Sequence, residues 1–133
     1  MGRMSFDKWN GLTGMGNVIS IGNQSFDSIR ENNYFFIDKS SLIKEWWDSG
    51  DVVTLIIRPR RFGKTLNMSM LKQFFSVDYK DREDLFEGLS IWEEKEYRQL
   101  QGTYPVISLS FANIKEKNFP MTRKKICQLI TKL

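Results

Sequence analysis

The chain has 133 residues, 41% hydrophobic and 14% aromatic, enough apolar material for one packed domain and too much for a disordered chain. Its formal charge is +4, from 20 Lys and Arg against 16 Asp and Glu, which admits anionic partners without selecting one. With no His and a single Cys, Cys127, a Cys/His zinc site, a Ser-His-Asp triad and an internal disulfide are all excluded.

Residues 1–17, with Gly2, Gly11, Gly14 and Gly16 among polar and aromatic residues, follow neither a helical nor a strand period and are expected to be a flexible lead-in to a unit spanning 18–133. They lack the apolar core of a secretory signal. No later run approaches the roughly 20 apolar residues of a membrane helix, so a cytoplasmic location without a membrane partner is expected. Gly22-Asn23 marks a turn, and Ser25 is the expected cap of a short helix. Tyr34-Phe35-Phe36-Ile37 is aromatic and β-rich, which predicts a short strand. A helix follows, capped by Asp38 or Ser40, carrying Trp46-Trp47 and stopping at Gly50.

Residues 52–57, VVTLII, lack polar alternation apart from Thr54 and predict a strand buried on both faces of a parallel sheet. From Lys64 onward, Leu66, Met70, Leu71, Phe74 and Phe75 fall at helical spacing. The charged stretch that follows carries Leu85, Phe86, Leu89, Ile91 and Trp92 as apolar anchors. Residues 90–100 predict an exposed helix with Glu94 and Arg98 available as an i,i+4 pair. Gly102-Thr103-Tyr104-Pro105 punctuates the chain before residues 106–111, VISLSF, which predict a second core strand. Ile126, Leu129, Ile130 and Leu133 then give a final amphipathic helix over 120–133. The alternation of strand and helix predicts an α/β fold, a partial P-loop NTPase-type parallel sheet flanked by helices. Two core strands are few for such a sheet, so the chain is expected to be the front part of a larger domain.

Between the first predicted strand and the helix beginning at Lys64 lies RPRRFGKT, residues 58–65. Gly63-Lys64-Thr65 matches the end of a phosphate-binding loop, G-x-x-x-x-G-K-[ST], in which backbone N–H groups cradle phosphates, the Lys reaches the outer phosphates and the hydroxyl holds Mg²⁺. The first Gly of that pattern is replaced by Arg58. Because Arg58 precedes Pro59, a rigid bend stands where the pattern has a permissive one. The phosphate donors lie later in the loop, so the cradle is expected to survive. The candidate nucleotide-binding residues are Arg60, Arg61, Phe62, Gly63, Lys64, Thr65 and Leu66, with Thr65 as the Mg²⁺ ligand. Arg58, Arg60, Arg61 and Lys64 also fit a nucleic-acid patch, to which Lys115, Lys117, Arg123, Lys124 and Lys125 would add charge.

Four stretches, residues 21–43, 54–71, 85–92 and 104–111, together resemble the N-terminal part of the AAA-ATPase-like family of predicted prokaryotic ATP-binding proteins, which often carry a PD-(D/E)XK-like nuclease domain at the C-terminal end. The resemblance covers about residues 18–133, and RPRRFGKT is its most specific piece. It implies ATP and Mg²⁺ as ligands, Lys64 on the β- and γ-phosphates, Thr65 on Mg²⁺, and close backbone approach at Gly63. The Arg-Pro opening is usual in that family. Asp38-Lys39 resembles a family signature of unassigned role, while as a plain residue Asp38 reads as a helix cap. The family's Walker B acid is missing: the last Asp is Asp84, and residues 106–111 end in Ser-Phe. These 133 residues are therefore not expected to be catalytic alone, and no catalytic residue is assigned. Glu93-Glu94-Lys95 contains the nuclease spacing E-x-K, but on a predicted helix where that chemistry needs strands. Unfilled sheet edges would allow self-association. An inactive truncated gene product is the remaining alternative.

Overall fold

In the computed structural model, which describes residues 18–57, 59 and 61–132, six α-helices form among the described residues. They are α1 (Phe26–Glu31), α2 (Ser41–Ser49), α3 (Lys64–Phe75), α4 (Ser90–Glu93), α5 (Lys95–Arg98) and α6 (Phe119–Thr131), with single 3₁₀ turns at Val77–Tyr79 and Glu83–Leu85. The predicted lead-in, residues 1–17, lies outside the described residues, as do Arg58 and Arg60.

Ser25 stands at the N-cap of α1, as expected, but its side chain makes no cap hydrogen bond. The Phe26 N–H at the start of α1 donates to Ser69 Oγ at 3.1 Å, so a side chain of α3 satisfies a donor that α1 itself leaves unpaired. α2 ends where Gly50 takes φ +62°. At α6 the Asn118 side chain accepts from Met121 N at 3.1 Å, with Pro120 in the first turn, where its missing N–H does no harm.

α1, α3 and the segment 85–92 meet in an aromatic core. Phe26 stacks on Phe86 at 5.1 Å between ring centres, and Phe74 meets Phe86 edge-on at 5.0 Å. Both arrangements suit the ring quadrupoles. Ile43, Met70, Leu85 and Ile91 complete the buried cluster. Trp46 and Trp47 of α2 pack on Phe75 at 5.4 and 5.5 Å. At the far end of α3 the chain returns closely: Gly102 N donates to Phe74 O at 2.8 Å and Tyr104 N to Phe75 O at 2.9 Å, satisfying carbonyls at the helix end. Gly102 has φ +65°, and a Cβ there would lie 2.4 Å from Lys80 Cα.

The predicted helix over 90–100 is broken. Glu94 is extended, with φ −87° and ψ 98°, and separates α4 from α5. Glu94 consequently pairs with Lys44 of α2 at 2.9 Å instead of with Arg98, whose guanidinium lies over the Trp92 ring at 5.2 Å.

The expected α/β architecture, a partial P-loop NTPase-type parallel sheet flanked by helices, does not form. Among the described residues no strand or sheet is present, and the one isolated parallel bridge joins Ser76 to Tyr104. Residues 52–57 and 106–111 run without regular structure. Val52 is 99% and Ile107 74% exposed, where buried core strands were expected. A strand is held by hydrogen bonds to a neighbouring backbone, and a parallel sheet needs helices over both faces. Here the two apolar segments do not pair with each other among the described residues, and the buried core is made by the helices and the 85–92 segment, with Val106 packed against its edge. Both segments instead line an apolar cleft of about 670 Å³ beside α2 and α3, together with Trp46, Trp47, Leu71 and Phe75. Residues 34–37, the other predicted strand, are likewise without regular structure.

Candidate functional site

The loop leading into α3 is shaped by two left-handed residues. Gly63 has φ +74° and ψ 18°, which glycine adopts freely. Arg61 has φ +69°, which costs a residue with a side chain about 1–2 kcal/mol. Gly63 O accepts from Asn67 N at 2.9 Å and closes the first turn of the helix. Lys64 and Thr65 therefore occupy the first two helical positions, where main-chain N–H groups have no carbonyl partner within the helix and the helix dipole is positive.

The remaining predicted site residues divide. Phe62 is 58% exposed, and Phe62 and Lys64 line one cleft. Leu66 packs its side chain against the core, which leaves only its backbone to a ligand. Thr65 is exposed and does not line the cleft. Arg60 lies outside the described residues.

That cleft, of about 710 Å³, falls within the size range of small-molecule sites. Asn67 joins Phe62 and Lys64 on the α3 side, Asp38, Lys39, Ser41, Leu42 and Glu45 come from the α2 side, and Leu55, Ile56 and Ile57 complete the lining. In the sequence Asp38 reads as a helix cap and Lys39 has no assigned role, and no spacing rule ties either to the loop. The fold brings the two and the loop to one cleft.

Asp38 holds this side of the cleft in place. Its Oδ1 accepts from Ser40 N at 2.8 Å, just before α2, and its Oδ2 accepts from Ser90 N at 2.8 Å, the first residue of α4. One carboxylate thus serves the starts of two helices distant in sequence. Burial pushes the Asp38 carboxyl up, but hydrogen bonds from Ser40 and Ser90 outweigh it and hold the carboxyl below its ordinary value. Ser40, fully buried, adds a 3.0 Å contact to Ser90 Oγ and accepts from Ile91 N at 3.1 Å.

The donor set suits a phosphorylated ligand, with a lysine and a left-handed glycine at a helix start. Among the described residues, nothing lies within 4 Å of the position a Cβ on Gly63 would take. For a metal the protein offers less. Among the described residues no group of three or more His, Cys, Asp or Glu could hold an ion. No helix among the described residues is long and apolar enough to cross a membrane.

No solved structure matches the chain. A protein from Azotobacter chroococcum mcd 1, described as an uncharacterized protein in the vnfD 5′ region, is 31% identical over 114 residues, which cover 85% of this chain and 20% of that protein. The chain thus spans about a fifth of that relative's length. The model of the AAA-ATPase-like family, described as predicted AAA-ATPase, matches residues 20–133, and the chain belongs to that family.

Proposed function

We propose that the chain binds ATP with Mg²⁺ at the loop and first turn of α3, with the triphosphate seated on residues 61–66. The observation that carries this is the position of Gly63-Lys64-Thr65: the glycine is left-handed, the lysine and threonine open the helix, and the lysine lines a cleft of nucleotide size. Family membership supports the same ligand. Within this proposal Lys64 meets the outer phosphates as a point charge, the main-chain N–H groups of the first turn donate to phosphate oxygens, and Leu66 contributes through its backbone alone. Arg60 and Arg61 add positive potential. Mg²⁺ arrives with the nucleotide and neutralises phosphate charge, while Thr65 is the hydroxyl assigned to it. The proposal covers binding and not hydrolysis, which needs groups that position water and stabilise the transferring phosphoryl.

Titration calorimetry with Mg·ATP tests the assignment. The unsubstituted chain is expected to bind, and Lys64→Ala to lose at least about 10-fold in affinity, the scale of one hydrogen bond to a charged group. Equal affinity in the two proteins would remove Lys64 from the phosphate site.

A further inference from the structure

We infer that Lys39 is a second phosphate-binding residue of the same cleft, contacting the outer phosphates of the nucleoside triphosphate from the α2 side. This rests on nucleotide binding at the start of α3 and adds to it a residue that no phosphate-loop pattern contains.

Three observations converge on Lys39. It lines the cleft that Lys64 and Phe62 also line, although it lies on a different segment. Its side chain is exposed and, among the described residues, joins none of the ion pairs, which engage Lys44, Arg82 and Lys125 instead. Its backbone is also fixed on both sides. Asp38 is bound to Ser40 N and Ser90 N, Ser40 is buried against Ser90 and Ile91, and Lys39 O accepts from Leu42 N at 3.0 Å. An exposed ammonium on a fixed backbone retains only side-chain freedom to lose on binding, which favours a defined contact.

The charge balance of the cleft points the same way. Asp38 and Glu45 line it together with the two lysines. Both Asp38 oxygens are already engaged by backbone N–H groups, whereas Glu45 opposes an anion directly. Lys64 alone would be offset by Glu45. Asp38 and Glu45 together outweigh Lys64, and Lys39 brings the lining charges to balance before an anion arrives; an ammonium with three donors also suits the clustered oxygens of a β,γ-diphosphate.

The test compares Mg·ATP, Mg·ADP and AMP binding by calorimetry for the unsubstituted chain, Lys39→Gln, Lys39→Arg and Lys64→Ala. Lys39→Gln should weaken Mg·ATP by about 10- to 100-fold, weaken Mg·ADP less and leave AMP unchanged. Lys39→Arg should restore most of the loss, and the thermal midpoint should be the same in the unsubstituted chain and the two Lys39 variants, since Lys39 is exposed. A phosphate-independent loss would mean a structural role and would overturn the inference. If Lys39→Gln binds Mg·ATP normally while Lys64→Ala does not, Lys39 is outside the site and the loop assignment stands. If the unsubstituted chain binds no nucleotide, both assignments fall.

Discussion

Asp38 shows how much a single carboxylate contributes when both its oxygens accept backbone N–H groups. It ties the start of α2 to the start of α4, and the same bonds hold its carboxyl below the ordinary aspartate value of 3.8. A group whose folded value is lowered adds stability that is fully present above the unfolded value and is lost as pH falls through the folded one. Asp38→Asn is therefore expected to lower stability by about 1 kcal/mol near neutral pH, the scale of a lost helix cap, and to flatten the decline below pH 3.8. Urea unfolding of both proteins at pH 6 and at pH 3 checks this. Parallel pH dependences would show that the carboxylate charge is not what matters. Asp38 was legible in the sequence as a cap for the helix that follows it, because Asp before a helical period signals one. Its second partner was not, since Ser90 is distant in sequence and no local rule links them. The same holds for Lys39, which the fold and not its spacing brings to the cleft that Lys64 lines.

At the level of elements, helices were read well where apolar period and punctuation agreed. The start of α3 at Lys64, the stop of α2 at Gly50 and the Pro-containing first turn of α6 all follow from local chemistry. The break at Glu94 had no such marker. It is held from outside by Lys44 and by the hydroxyl of Tyr97, which donates to Asp48 Oδ1 at 2.7 Å. Gly102 carries the sharpest stability prediction, because it combines φ +65° with a close approach to Lys80. Gly102→Ala adds a clash to the backbone strain and is expected to destabilise by about 2–4 kcal/mol. Gly50→Ala, at φ +62° but with nothing within 4 Å, should lose only about 1–2 kcal/mol. Denaturant unfolding of the pair separates strain from crowding. Equal losses would mean that the chain moves away from Lys80 without penalty.

Across the whole molecule, the expected sheet is what composition could not decide. Residues 52–57 and 106–111 have the apolar, β-branched character of core strands, yet strand formation depends on a neighbouring backbone that a local window does not contain. The buried cluster of α1, α3 and the 85–92 segment contains neither of them, Val106 packs only against its edge, and both lie along the apolar cleft beside α2 and α3. The left-handed Gly63 and the helix start at Lys64 form nonetheless, since neither needs a sheet. The central claim is thus that the nucleotide site is set by the loop, the first turn of α3 and the facing start of α2. Amide chemical-shift mapping of the ¹⁵N-labelled chain during titration with Mg·ATP tests it most directly. Shifts are expected at residues 61–67 and at Lys39. Shifts concentrated on the basic face of α6 or along the apolar cleft, with residues 61–67 unmoved, would contradict it.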